Sequence, residues 1–186
     1  MQIAVDFDGT CVTHEFPKMG KDILAVPVLQ ELSHLGHELI LLTMRDDNKG
    51  ISPKSDNPNI VPCEGDFLTD AVNWFADNNI KLFSVNDNPK QNTWTGSRKV
   101  YADIYIDNMA LGVPLLYSDT YSSRPFVDWC RVTQILFMRE LISADFYANF
   151  RVLFNYFMID ILECTMHPPL DFYSSCVDDD NVIRVF

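Results

Sequence analysis

The sequence predicts an α/β fold in which a parallel β-sheet carries helices on both faces. Short apolar runs of strand length alternate with segments whose apolar residues follow helical spacing. Polar or acidic residues stand directly after several of the strand-like runs. The chain has 186 residues, of which 47 % are hydrophobic, so it suits one main domain with a sizeable core.

The first elements alternate between strand and helix. Residues 2–6 form an apolar run that is typical of a buried strand. Residues 22–35 have apolar side chains at helical spacing, and Gly36 follows as the expected C-cap. Residues 38–43, ELILLT, predict a second buried strand. The polar stretch 44–65 exceeds the usual loop length, which indicates a functional or mobile loop.

The alternation continues through the middle of the chain. Residues 67–78 predict a helix with Asp66 as its N-cap. Residues 81–85 predict a third strand, and the polar loop 86–97 follows it. Residues 103–106, DIYI, predict a fourth strand, so the whole pattern indicates βαβ units with right-handed crossovers.

The last third of the sequence is predicted to be mainly helical. Residues 124–142 have helical spacing, the aromatic-rich segment 146–162 follows, and a final strand is predicted at 182–186. We therefore predict a main α/β domain at residues 1–140 and a helical extension at 141–186, which packs on that domain or mediates self-association.

Charge and cysteine content narrow the class of protein. Asp and Glu total 26 against 14 Lys and Arg, a formal charge of −12, which argues against general nucleic-acid binding. The five cysteines are irregularly spaced and form no C-x-x-C pair, which favours free thiols in a cytoplasmic protein. We expect no signal peptide, because the chain begins with a strand-like run. Segment 146–162 carries charged residues and is too short to span a membrane.

Several polar side chains follow different predicted strands. Asp6 and Asp8 come after the first strand, Thr43 ends the second, and Asp107 follows the fourth. Ligands of parallel sheets bind beyond the carboxyl ends of the strands, so these side chains are expected to share one crevice. Clustered acids repel each other and lose hydration, and a bound metal cation is the simplest way to offset that cost.

These residues resemble the motifs of the haloacid dehalogenase superfamily, which has a Rossmann-like fold. The sequence DFDGT at residues 6–10 resembles its first motif, and Thr43 ends a run similar to the second. Lys99 resembles the lysine of the third motif, and Asp107-Asn108 the acidic fourth. The longer string DFDGTCVTHEFPKMG further resembles small members without a cap domain, found in bacteria and phages.

The resemblance implies a phosphatase that works through an aspartyl-phosphate. Asp6 would be the nucleophile, and Asp8 would protonate the leaving alkoxide and then activate water. Thr43 would bind a phosphoryl oxygen, and Lys99 would neutralise negative charge. An acid at position 8 favours phosphatase or phosphomutase chemistry over that of the related ATPases and dehalogenases.

The resemblance also implies a Mg²⁺ site. Asp6, the backbone carbonyl of Asp8, and Asp107 would hold the ion, with Asn108 beside them. The fourth motif often has two adjacent acids, so Asn108 removes one negative charge and lowers the expected metal affinity. Asp103 is an alternative second acid, although it stands at the start of its strand.

Other residues are candidates for substrate contact. Gly9 and Thr10 belong to the first motif and are expected to contact substrate. Arg45 could hold a substrate anion, and a solvated loop position explains it equally well. Lys90 is the alternative to Lys99, because it lies in the same loop before the fourth strand.

The spacing of the motifs leaves no room for a cap domain. An open crevice admits a small phosphorylated metabolite or a nucleotide. A phosphomutase normally needs a cap and is therefore disfavoured. The alternative is a non-catalytic binding or assembly protein, which Asn108 and the unusual extension motivate. The apolar helix 146–162 predicts a homodimer, unless the tail behind it buries that helix completely.

Overall fold

The structure is a computed structural model that describes residues 1–48 and 64–161. The strands, in chain order, are β1 (Gln2–Val5), β2 (Glu38–Leu41), β3 (Asp47–Asn48), β4 (Gly65–Asp66), β5 (Leu82–Val85), β6 (Ile104–Ile106), β7 (Leu115–Leu116) and β8 (Phe126–Val127). The helices are α1 (Ala25–His34), α2 (Phe67–Asp77), α3 (Trp129–Met138) and α4 (Ala144–Ile161), with a 3₁₀ helix at Gln91–Thr93. The middle of the predicted loop 44–65 and the predicted strand 182–186 lie outside the described residues.

Four parallel strands form the main sheet in the order β5-β2-β1-β6. The strand β1 lies in the interior of the sheet, where Val5 pairs with Leu41 on one side and with Ile106 on the other. This arrangement confirms the predicted Rossmann-like α/β fold with a parallel sheet. Two small antiparallel pairs, β3 with β4 and β7 with β8, stand outside the sheet.

The two faces of the sheet are covered differently. Ile3 belongs to the large core, to which all four helices contribute buried side chains. On the other face Ala4 and Ile40 pack with Ala102, which lies in the segment connecting β5 to β6. Among the described residues the helical part of that segment is the short 3₁₀ helix, whereas helices were predicted on both faces. The segment begins with the sequence NDNP at residues 86–89, and these residue types favour turns over an α-helix.

The predicted elements up to β6 are present, and most of the differences are at their ends. The helix α1 begins at Ala25 rather than at residue 22, because Leu24 has a left-handed backbone with φ of 63°. At α2 the predicted N-cap Asp66 occupies that position without a capping hydrogen bond. Asp47 instead accepts hydrogen bonds from the Thr69 backbone N–H at 2.9 Å and the Thr69 hydroxyl at 2.6 Å. The start of α2 is thereby tied to the loop after β2.

The helix predicted at residues 124–142 is shorter in the structure. It begins at Trp129, and the side chain of Asp128 accepts a hydrogen bond from the Arg131 N–H as its N-cap. The residues before it form β8, which pairs with β7. The aromatic Phe126 and the β-branched Val127 favour a strand here. A strand of two residues is too short to show an apolar pattern, and it was not recognised in the sequence.

The helix α4 packs on the domain through one stripe of its surface. Phe150 and Phe154 are buried and belong to the same core as Ile3. Tyr156 and Ile159 are exposed on the opposite side. Self-association through that side and the division of domains at residue 140 stay predictions. Within residues 1–48 and 64–161, the structure has no helix that is both long and apolar enough to span a membrane.

We predict that Phe154→Ala destabilises the protein strongly, because it removes a buried aromatic side chain from the shared core. Such truncations cost about 3–5 kcal/mol of unfolding free energy. Tyr156→Ala, at a side chain that is 66 % exposed, should change it by less than about 0.5 kcal/mol. Urea unfolding measures both values. Equal losses for the two variants would show that α4 does not pack as described.

Candidate active site

The register of the sheet brings Asp6 and Asp107 together. Asp6 is the first residue after β1, and Asp107 is the first after β6. The Asp6 N–H donates to the Ile106 carbonyl at 3.0 Å, which continues the pairing of the two strands. The two carboxylates therefore lie at the same edge of the sheet. Thr43, two residues beyond β2, lies at this edge as well, as the sequence predicted.

The turn after β1 has a fixed conformation. The N–H groups of Thr10 and Cys11 both donate to the Phe7 carbonyl, at 3.2 and 2.8 Å. Gly9 has a φ of 83°, which side chains other than glycine rarely adopt. A Cβ atom at Gly9 would also collide with the side-chain amide of Asn108. Glycine is therefore needed here for both its backbone and its size.

Thr10 links this turn to the loop after β6. Its hydroxyl oxygen accepts a hydrogen bond from the Asn108 N–H at 3.0 Å. The same hydroxyl lies 3.4 Å from a carboxylate oxygen of Asp6, to which it can donate. The Thr10 carbonyl accepts from the indole N–H of Trp129 at 2.8 Å. Thr10 is fully buried and holds the site together, and substrate contact by Gly9 or Thr10 stays a prediction.

The surroundings of Asp6 favour a proton on its carboxyl group. Burial raises its pKa from 3.8 to about 7, and the negative charges of Asp107 and Asp8 add to the increase. A hydrogen bond from the Phe7 N–H opposes this shift, and one from Thr10 opposes it more weakly. Among the described groups that shift the pKa of Asp6, none is a cation. We refer to Asp6, Asp8 and Asp107 as the acidic cluster.

The cluster fits a magnesium ion held by few protein groups. The part of the chain that the structure describes contains no set of three His, Cys, Asp or Glu side chains grouped as metal ligands. Mg²⁺ keeps several waters and is usually bound by one or two carboxylates together with substrate phosphate. Asp6 and Asp107 supply such a pair of oxygen donors, with Asn108 beside them. Metal binding by these residues and Asp8 stays a prediction.

Asp8 is paired with a buried arginine. The Arg45 Nε and Nη2 atoms each donate to one oxygen of Asp8, both at 2.7 Å. Nη2 also donates to the Lys18 carbonyl at 2.9 Å. The guanidinium carbon lies 4.9 Å from the ring centre of Phe7 and 5.5 Å from that of Phe16. Arg45 thus contacts a proposed catalytic group, whereas the sequence suggested substrate contact or a solvated position.

Neither candidate lysine contacts this cluster. The Lys99 side chain is exposed, and its ammonium lies 5.6 Å from the ring centre of Tyr105. The Lys90 ammonium pairs with Glu38 at 2.6 Å. Glu38 is the first residue of β2, so Lys90 lies at the amino edge of the sheet, opposite Asp6. The structure does not bring either lysine to the carboxylates.

Asp103 also lies at the amino edge of the sheet. Its carboxylate accepts hydrogen bonds from the Gln2 N–H and the Tyr101 hydroxyl, both at 2.7 Å. Asn88 donates from its side chain to the Gln2 side chain and to the Tyr101 carbonyl, each at 2.8 Å. The segment after β5 therefore runs back toward the amino edge, which explains the positions of Asp103, Lys90 and Lys99.

Two residues that hydrogen-bond to the backbone of the candidate site were not recognised from the sequence. Trp129 holds the turn after β1 through its indole N–H. Asn86 accepts a hydrogen bond from the Thr43 N–H at 2.8 Å and has a φ of 51°. An Asn directly after a strand is a recognisable signal for such a backbone. The Trp129 contact spans 119 residues, and nothing local indicates it.

The protein therefore has a Rossmann-like α/β fold. Its acidic residues Asp6 and Asp107 lie together at the carboxyl ends of β1 and β6. Comparison with protein-family models and with curated proteins gave no match. Among solved structures, the chain is similar to a conserved protein from Bacteroides thetaiotaomicron. The identity is 32 %, over 61 % of this chain and 81 % of that one, with a TM-score of 0.47. The description of that protein names no activity.

The pKa of Asp6 predicts how stability depends on pH in metal-free buffer. The folded state holds a proton on Asp6 up to about pH 7, whereas the unfolded state loses it near 3.8. The free energy of unfolding should therefore fall as the pH rises between these values. Asp6→Asn cannot titrate. The melting midpoint of wild type minus that of Asp6→Asn should decrease from about pH 4.5 to about pH 7.5. A difference that is constant or rises would contradict the shift.

Proposed function

We propose that this chain is a Mg²⁺-dependent phosphatase of the haloacid dehalogenase superfamily, acting on a small phosphomonoester. The observation that carries the proposal is the position of Asp6 beside Asp107 at the carboxyl edge of a parallel sheet. Asp8 follows two residues after Asp6, in a turn that Thr10 links to the Asn108 backbone. The proposed nucleophile Asp6, the proposed acid Asp8 and the proposed metal ligand Asp107 therefore follow two neighbouring strands at one edge of the sheet, which supports the proposal.

In the first proposed step, an oxygen of ionised Asp6 attacks the phosphorus atom. The bond between phosphorus and the leaving oxygen breaks, and its electron pair goes to that oxygen, which takes a proton from Asp8. The products are an alcohol and an aspartyl-phosphate. A bound Mg²⁺ ion, held by Asp6 and Asp107, would supply positive charge for the transferring phosphoryl group.

In the second step, water attacks the phosphorus atom of the aspartyl-phosphate. Asp8, now a carboxylate, takes the proton from that water, and inorganic phosphate and the Asp6 carboxylate are released. Both residues return to their starting states. The leaving oxygen takes one proton from Asp8 and the attacking water returns one, so Asp8 must be protonated at the start of each turnover.

Thr43 is proposed to donate to a phosphoryl oxygen. Its hydroxyl oxygen accepts a hydrogen bond from the Arg45 N–H at 3.2 Å, which leaves the hydroxyl hydrogen available. We assign no step to Lys99 or Lys90, because neither contacts the cluster. The substrate is proposed to be a phosphorylated metabolite or a nucleotide, since a net charge of −12 disfavours nucleic acid.

The observation that favours a non-catalytic binding protein instead is the pairing of both Asp8 oxygens with Arg45. Such a protein would bind phosphate or a phosphomonoester without turnover. Calorimetry with inorganic phosphate, run beside the phosphatase assay, separates the two functions. Binding without hydrolysis of any ester would support the binding protein.

We predict that Asp6→Asn abolishes Mg²⁺-dependent phosphate release from p-nitrophenyl phosphate. Loss of the attacking group should lower the rate by several orders of magnitude. The matched control is Asp103→Asn, the same chemical change at the opposite edge of the sheet, which should retain activity. Near-normal turnover by Asp6→Asn would exclude the nucleophile role.

A second prediction concerns the metal. Asp107→Asn should weaken Mg²⁺ binding in calorimetry and lower activity, because it removes one of two charged oxygen ligands. Asn108→Asp should hold or tighten binding, since it adds a negative charge near the ion. Unchanged Mg²⁺ affinity in Asp107→Asn would contradict the ligand role. Marked weakening in Asn108→Asp would show that the amide itself is required.

A further inference from the structure

We propose that Arg45 is a positioning residue that orients the carboxyl group of Asp8 for proton transfer. This inference rests on the proposed phosphatase function, and it replaces the expected contact between Arg45 and substrate. Arg45 would act through Asp8 and would touch neither the phosphoryl group nor the metal.

The first argument is the geometry of the pair. A guanidinium that donates from Nε to one carboxylate oxygen and from Nη2 to the other fixes both the position and the plane of the carboxylate. A lysine ammonium is a single point charge and cannot fix that plane. Backbone hydrogen bonds of the turn already fix the main chain at Asp8. Only the rotation of its carboxyl group remains to be fixed, and the two hydrogen bonds from Arg45 do this.

The second argument is that Arg45 is itself held from several sides. The rings of Phe7 and Phe16 lie against its guanidinium, and the Lys18 carbonyl accepts from Nη2. Aromatic faces attract a cation, most strongly where water is excluded. A catalytic side chain keeps its productive orientation only if the residues that support it are themselves held in place. Arg45 meets this requirement.

The third argument is that stability alone is a poor explanation of this pair. The Nη1 atom of Arg45 is buried and has no hydrogen-bond partner among residues 1–48 and 64–161. A buried donor without a partner costs about 1–3 kcal/mol, and more on a charged group. Buried ion pairs are often no more stable than the apolar groups that could replace them. A functional role accounts for keeping an incompletely satisfied arginine at this position.

Asp8 remains accessible for its proposed reaction. Its side chain is 12 % exposed, whereas that of Arg45 is 1 % exposed. A carboxylate has about four acceptor positions, and Arg45 occupies two of them. A free position can carry the proton that the leaving oxygen takes, so both hydrogen bonds from Arg45 can persist while Asp8 is protonated.

The test compares two esters that differ in their need for an acid. The alkoxide that leaves glycerol phosphate must be protonated, whereas p-nitrophenolate leaves as a stable anion. The value of kcat/KM covers the steps up to departure of the alcohol. Arg45→Gln should lower kcat/KM about 100-fold or more on glycerol phosphate and less than about tenfold on p-nitrophenyl phosphate. Arg98→Gln, at an exposed arginine, is the matched control and should leave both values unchanged.

A double-mutant cycle shows whether Arg45 acts through Asp8. Asp8→Asn should give the same difference between the esters, and Asp8→Asn combined with Arg45→Gln should lose no more than Asp8→Asn alone. Circular dichroism checks that each variant folds. If Arg45→Gln does not fold, Arg45→Lys takes its place, and the same difference between the esters is expected.

Three results would overturn the inference. Equal losses on both esters would mean that Arg45 acts on the phosphoryl group or on folding. Additive losses in the cycle would mean that it acts independently of Asp8. Full activity of Arg45→Lys on glycerol phosphate would mean that the paired hydrogen bonds are not needed. A wild-type protein that hydrolyses neither ester with Mg²⁺ would instead refute the phosphatase itself, and this inference with it.

Discussion

The parallel pairing of β1 with β6 is the constraint on which the rest of the structure depends. Once Val5 lies beside Ile106, the next residues along the two strands, Asp6 and Asp107, must lie next to each other. Burial disfavours a negative charge on Asp6, and the neighbouring carboxylates repel each other. Both effects raise the pKa of Asp6. The fold accepts an unfavourable charge distribution at one edge, which is a common property of functional sites.

The loops around that edge hold the unfavourable arrangement in place. Gly9 lets the turn approach the Asn108 side chain closely, and Thr10 bonds to the Asn108 backbone. The indole of Trp129 fixes the turn from the side of α3, and the Val127 N–H donates to the Gly9 carbonyl at 2.8 Å. The strand pair β7–β8 and the helix α3 therefore serve the site as well as the core.

Local patterns in the sequence predicted the main sheet and the positions of three candidate site residues. Apolar runs and their polar ends placed Asp6, Thr43 and Asp107 at one edge, because the position of a strand end follows from periodicity alone. The path of the segment after β5 depends on long-range contacts, such as that of Asn88 with Gln2, and so the position of Lys99 could not be derived. The contact of Arg45 with Asp8 was missed for the same reason, since 37 residues separate the two in sequence.

Asp6 and Asp8 differ in how their charge is compensated, and this difference supports the separate roles proposed for them. Asp8 has a fixed partner in Arg45, whose buried side chain cannot follow a substrate. Within the part of the chain that the structure describes, no cation contacts Asp6, which lies beside the like charge of Asp107. A proton or a bound metal ion would compensate its charge there. A carboxylate that exchanges its counter-ion suits a nucleophile, which must be free to attack. A carboxylate held in one orientation suits a group that only gives and takes a proton.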